Sequence, residues 1–270
     1  MSQIAHLPHR GVLEISGTDR VSFLNGLVSN DVSKAGPGRA VWAALLTPQG
    51  KYLVDFFVLS DGERLLLDTP LEEIPALMQK LRRFRLRADV EIKNSSDQLK
   101  VFAVWGGMPP PVPLTAADPR LPHAGYRCLS GEDVPCNATA GEYAAYRIAL
   151  GLPDGVPDLE PDKTLLLEAG FDELGGVDWE KGCYMGQELT ARTKYRGLIK
   201  RRLVPVKLAR PGLPAGTPVL ADGQEVGVLR SSEGTDGLAT LRLDALGKNL
   251  SAEGAALTPC PPSWMKLPAA

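Results

Sequence analysis

Six prolines fall within residues 106–125: Pro109, Pro110, Pro111, Pro113, Pro119 and Pro122. Each fixes its own φ and lacks the N–H that a helix or a strand ladder needs, so no element interior is expected there. The stretch is read as a loop or linker between two parts of the chain with different texture.

The part before it alternates short strands with single helices. Gly11-Val12-Leu13-Glu14-Ile15 has the period of a strand. Thr18-Asp19 supplies an N-cap, and Val21, Leu24, Leu27 and Val28 follow at helical spacing. Residues 40–46 and 51–59 read as strands joined by the turn Thr47-Pro48-Gln49-Gly50, and Asp61-Gly62 turns the chain into a strand over 64–67. Pro70 is placed near the start of a helix running to about Arg83, and strands follow over 90–92 and 101–105. After the prolines, Thr139 and Glu142 form a capping box for a helix to about Leu150, and 151–162 is a Pro-rich connection. Beyond Gly197 come strands over 203–208, 219–220, 226–230 and 238–243, separated by turns such as Asp222-Gly223. That spacing predicts a small antiparallel barrel.

A hydrophobic fraction of 44% over 270 residues provides a sizeable core, for one large domain or two to three small ones. A formal net charge of −2 argues against a general nucleic-acid binder, which would be basic over a whole face. The start, Met1-Ser2-Gln3-Ile4-Ala5-His6-Leu7-Pro8, has no apolar core of signal-peptide length. No later run approaches the roughly 18–20 apolar residues of a membrane span. A soluble, unexported, cytoplasmic protein is expected, with no membrane partner. Cys128, Cys136, Cys183 and Cys260 make no C-x-x-C pair, and the histidines are His6, His9 and His123 alone. No metal site is assigned from them.

The densest information lies in residues 175–197. Gly182 and Gly186 flank Cys183 and Tyr184, so the backbone there turns sharply or approaches a ligand closely. A short helix from Gln187 would place Cys183 just before a helix N-terminus, and Lys181 adds a nearby cation; both favour a thiolate. Cys183 is therefore the candidate reactive thiol, expected to be partly exposed and more reactive than the other three cysteines. A small residue in a tight turn is the plainer alternative. Arg192, Lys194, Arg196, Lys200, Arg201 and Arg202 make the next segment basic, which suits an anionic ligand tail or a solvated face.

Lys181-Gly182-Cys183-Tyr184-Met185-Gly186-Gln187-Glu188 resembles the hallmark of YgfZ-type proteins and continues into Ala191-Arg192, Tyr195-Arg196-Gly197 and Lys200-Arg201. Gly17-Thr18-Asp19-Arg20 through Asn30-Asp31-Val32, Gln49-Gly50-Lys51 with Asp55, and Tyr146-Arg147-Ile148 through Gly151-Leu152-Pro153 resemble the same family. The resemblance implies an α+β, three-part fold like the aminomethyltransferase (T-protein) of glycine cleavage, with a C-terminal antiparallel β-barrel. The implied domains are a discontinuous first domain over 1–38 plus 106–200 carrying the Cys motif, an inserted α+β domain over 39–105, and a barrel domain over 201–270.

It also implies a tetrahydrofolate-binding accessory protein for iron–sulfur cluster assembly or repair, indirectly supporting iron–sulfur tRNA-modifying enzymes. The partners would be folate and iron–sulfur enzymes or assembly proteins, with no direct nucleic acid. A folate-dependent aminomethyltransferase or related one-carbon enzyme is the alternative. Carried over by position, Asp55, Tyr143 and Glu168 (in Leu167-Glu168-Ala169-Gly170) would touch the folate, with Arg192 and Arg196 toward its tail. Asp55 stands between apolar Val54 and Phe56, so an ordinary strand residue is its other reading. Relatives often carry an aromatic before the first strand, where this chain has His9-Arg10.

Overall fold

The structure is a computed structural model that describes residues 1–197 and 199–267. Among the described residues, sixteen strands (β1 to β16 in chain order) and four α-helices form two open sheets and one closed barrel. Strand β4 (Val41–Leu46) shows how the sheets are layered. All six of its side chains are buried, and they alternate between two cores. Trp42, Ala44 and Leu46 enter a central core, while Val41, Ala43 and Leu45 enter an outer one. The period of two that divides them is the pleat of the strand itself.

β4 belongs to a five-stranded antiparallel sheet with β5 (Tyr52–Ser60), β6 (Leu65–Pro70), β2 (Arg10–Ser16) and β7 (Glu91–Asn94), in the order β4-β5-β6-β2-β7. Its outer face is covered by α1 (Arg20–Asn25) and α2 (Ile74–Arg85), whose Leu24, Ile74, Leu77 and Leu81 fill the outer core. Its inner face meets a second sheet across the central core. That sheet runs β1 (Gln3–His6), β8 (Lys100–Trp105), β10 (Tyr126–Ser130), β9 (Leu114–Ala117), β3 (Gly38–Arg39). Burying the inward apolar side chains of both sheets, among them Val12, Trp42, Phe57, Leu66, Val101 and Leu129, at roughly 1.5–3 kcal/mol each for the large ones, is the main drive that holds the two sheets together.

α3 (Ala140–Leu150) carries the expected capping box, with Thr139 and Glu142 bonded reciprocally, and ends at Gly151 with φ +77°. An irregular connector follows, and α4 (Gln187–Arg196) starts at the predicted residue. The barrel closes as β11 (Arg201–Leu208), β14 (Asp236–Arg242), β13 (Gln224–Glu233), β12 (Pro218–Ala221), β15 (Leu250–Ala252) and β16 (Ala255–Pro259), with β16 returning to β11. After β16 the chain folds back. The indole of Trp264 donates to the Leu150 carbonyl at 2.9 Å and packs over Gly151 and Gly170.

Several expectations shift. The proline-rich stretch is not all loop: β9 occupies the proline-free window between Pro113 and Pro119. Pro70 ends β6 and is also the N-cap of a 3-10 turn over Leu71–Glu73 that runs directly into α2 at Ile74, so it stands at the start of the helix as expected. α1 stops at Gly26 and Val28 pairs with Leu45; Asp19 stands at the N-cap as expected but its side chain does not cap, and Thr18 bonds the Asp89 carboxylate. The two sheets also cut the sequence differently from the anticipated 39–105 insertion. β2, from the first segment, lies in the sheet of β4 to β7, and β8 lies in the other sheet.

Candidate functional site

The turn bearing Cys183 is built from contacts far away in sequence. Asp178 accepts from the N–H groups of Glu180 (2.8 Å) and Lys181 (3.0 Å), which sets the entry to the turn, and its other oxygen binds Lys34. Burial would raise the Asp178 carboxyl, but Lys34 and these N–H groups hold it below its ordinary value. The Lys181 ammonium donates to three backbone carbonyls, Asn25 (2.7 Å), Val28 (2.7 Å) and Asn30 (2.8 Å). Burial pushes its pKa down to about 8, against the pull of Asp31 and Asp178. On the far side, the Tyr184 N–H donates to Gln187 Oε1 at 3.2 Å, and the Tyr184 ring is buried.

Gly186 then caps α4 with φ +81°. A Cβ at this position would lie 2.5 Å from the Thr47 carbonyl oxygen and 2.9 Å from the Gly50 Cα. The motif therefore rests directly on the β4–β5 hairpin turn. Between these supports, Cys183 is exposed, as the sequence predicts. Cys136 and Cys260 are exposed too, so exposure alone does not single it out. Cys128 is buried; burial pushes its thiol up, and Thr115 donates to its sulfur at 3.2 Å.

Lys181, expected from the sequence as a cation beside the Cys183 thiol, directs its N–H donors at the 25–30 segment and not at the sulfur.

The residues expected at a folate cavity do not form one surface. Asp55 is buried, with Oδ2 accepting from Trp42 Nε1 at 2.9 Å and Oδ1 from the Tyr52 hydroxyl at 2.7 Å. Burial raises its carboxyl despite these donors and Arg10. Tyr143 is buried as well, and its hydroxyl accepts from Arg127 at 2.8 Å. Glu168 lies elsewhere, half-buried in a pocket of about 100 Å³ against the barrel with Lys163, Arg201 and Arg230. Burial raises its carboxyl, against Lys51 and Arg201. Arg192 and Arg196 stand exposed on α4, where Arg192 pairs with Glu188 at 2.9 Å. These side chains do not fit a folate as one set in this structure.

Sequence reading missed what occupies the space between the sheets. Arg10 binds Asp68 and Asp154; Arg127 reaches Asp68 at 3.3 Å; Arg147 binds Asp158 and approaches Asp154 at 3.7 Å; Arg120 binds Asp118 at 2.7 Å. All eight are buried. The Arg127 guanidinium also lies 4.3 Å from the Phe57 ring centroid. For Asp154, burial would raise the carboxyl, but Arg10, His9 and Arg147 hold it well below its usual range. One signal was available: Asp68 and Arg127 interrupt apolar strand patterns at inward positions.

Comparison with known proteins places this geometry. The family model described as GCVT N-terminal domain matches residues 3–110, and the model described as CAF17, C-terminal beta-barrel domain matches residues 200–267. "Iron-sulfur cluster assembly factor IBA57, mitochondrial" of Mus musculus is 33% identical, over 96% of this chain and 84% of the relative. The protein of the same name in Homo sapiens is 32% identical over the same shares. The "Iron-sulfur cluster assembly factor IBA57 homolog, mitochondrial" of Mycosarcoma maydis is 37% identical over 78% of this chain, which spans 59% of that relative's length. Glycine cleavage system aminomethyltransferase T from Bartonella henselae superposes with a TM-score of 0.76 over 98% of this chain and 87% of its own, at 16% identity. That likeness shows the α+β aminomethyltransferase-type fold, here with its closed C-terminal barrel.

The cytoplasmic location expected from the sequence is corrected by these relatives, which are named as mitochondrial. The features behind it, the missing signal-peptide core and membrane span, do not distinguish one unexported compartment from another. Among the described residues, no helix is long and apolar enough to cross a membrane.

Proposed function

The chain belongs to the IBA57 family of iron–sulfur cluster assembly factors, and from that membership we propose that it serves iron–sulfur cluster assembly through Cys183. The observation that carries this reading is the Cys183 turn: an exposed thiol in a span whose neighbours are fixed on both sides. Among the described residues, no group of three or more His, Cys, Asp and Glu side chains could hold a metal ion. A cluster touching Cys183 therefore takes its other ligands from a partner, an assembly protein or a client enzyme. Iron–sulfur tRNA-modifying enzymes are among the proposed clients; nucleic acid itself is not.

The experiment is rescue of cells that lack the protein. Cys183→Ser is expected to fold normally, within about 0.5 kcal/mol of wild type by urea unfolding, because the site is exposed. It is also expected to leave iron–sulfur enzyme activities unrestored. Full rescue by this variant would show that the thiol is dispensable and the reading wrong.

A second reading keeps tetrahydrofolate as a ligand, and Glu168 supports it. A carboxylate accepts paired N–H donors of the kind a pterin edge presents, and Lys163, Arg201 and Arg230 suit an anionic tail. Calorimetry with tetrahydrofolate is expected to show saturable heat that Glu168→Ala weakens by about 1–3 kcal/mol. No saturable heat from a folded sample removes folate from the account. The one-carbon alternative has less support, since both Asp55 oxygens are engaged by Trp42 and Tyr52.

A further inference from the structure

Gly182 and Cys183 form a two-residue span between anchored neighbours. A Cβ on Gly182 would meet nothing within 4 Å, so no packing holds the span from the side. Its orientation is set at its ends. The downstream end is Tyr184, with a buried ring and an N–H bonded to Gln187. The upstream end is Lys181, whose three donors converge on carbonyls of a segment more than 150 positions earlier in sequence.

We propose that Lys181 is a positioning residue that aims Cys183 by fastening the turn to the Asn25–Asn30 segment, and that it does not act as the thiolate's cationic partner. This rests on the reading of Cys183 as the working thiol. The three accepting oxygens are the first argument. An ammonium has three N–H donors, and with all three engaged none is left for a sulfur acceptor. The second is the short reach from anchor to thiol. With one residue between Lys181 and Cys183, freedom at Lys181 passes directly into the thiol's direction, because Gly182 adds torsional freedom instead of restraint. The third is what lies beneath. Asn25 and Asn30 are themselves tied in place, by an Asn25 bond to the Val32 N–H at 3.1 Å and Asn30 bonds to the Trp42 and Gly175 carbonyls at 2.7 Å. Lys181 thus docks on a rigid base.

The test uses full-length protein with Cys136→Ser and Cys260→Ser, leaving buried Cys128 and the exposed Cys183. A nitroxide placed on Cys183 reports span motion, and the pH profile of iodoacetamide alkylation reports the thiol. In Lys181→Met the nitroxide correlation time is expected to shorten by at least about twofold. The apparent thiol pKa is expected to stay within about 0.3 of wild type. Lys181→Gln serves the same purpose if the methionine variant does not fold. A thiol pKa that rises by about 1 with unchanged label motion would overturn the proposal and restore Lys181 as electrostatic partner. Unchanged motion with an unchanged pKa also overturns it. Full cellular rescue by Cys183→Ser would sink the functional reading while leaving the positioning result standing.

Discussion

Replacing Arg10 with methionine is expected to destabilise the protein by about 3–5 kcal/mol, as stripping one partner from a buried ion network does. Arg10 is buried and binds the carboxylates of both Asp68 and Asp154, and it donates to the Asp68 carbonyl at 2.7 Å. Methionine matches much of its length but none of its charge. Asp68 would keep only Arg127 at 3.3 Å, and Asp154 only His9 at 3.5 Å and Arg147 at 3.7 Å. Two carboxylates out of water with weakened partners carry the penalty. Urea unfolding at neutral pH measures it; a difference under about 1 kcal/mol would mean that the remaining arginines compensate. The acid limb supplies a second check. Asp154 has its folded pKa depressed, so the stability it contributes is present above the unfolded value and is lost as pH falls through the folded one. Without Arg10 that depression weakens, so the gap between wild type and variant narrows as pH falls below about 4.

Gly186→Ala is the second large effect, expected at about 2–4 kcal/mol. The φ of +81° disfavours any L side chain, and the new Cβ would meet the Thr47 carbonyl oxygen at 2.5 Å and the Gly50 Cα at 2.9 Å. Both are backbone contacts, so neither yields by a rotamer change. The Gly50 face is equally closed, since a Cβ there would stand 2.6 Å from the Leu189 Cβ and 2.7 Å from the Gly186 carbonyl oxygen. The same unfolding measurement reads the loss, and mass spectrometry after brief alkylation reads whether the Cys183 turn has shifted. A variant within about 1 kcal/mol of wild type, with unchanged alkylation, would show that the hairpin and motif do not depend on this approach.

The elements that were legible in the sequence are those fixed by neighbours in the chain. The Thr139–Glu142 capping box and the start of α4 at Gln187 are both local, and both stand where the pattern put them. The exposed Cys183 between glycines was legible for the same reason. The buried ion network was not, because its bonds join residues 58 and 144 positions apart and each charge alone looks like an ordinary surface residue. Lys181 shows the same limit inside the motif. Along the chain its nearest functional neighbour is Cys183, whereas folded it is bonded to the end of α1 and the segment after it. Asp55 looked like either a strand residue or a ligand contact; only the approach of Trp42 and Tyr52 reveals a carboxyl enclosed on both oxygens.

Glu173 accepts at 2.9 Å from Arg202, at the first strand of the barrel, and at 3.4 Å from the Lys266 N–H, just past its last strand. With Trp264 on Leu150, the barrel is thus bolted to the rest of the molecule at the point where the chain enters it and again where the chain leaves. Both mounts meet at the one Glu173 carboxylate, so a change at that residue is expected to loosen the entry and the exit of the barrel together.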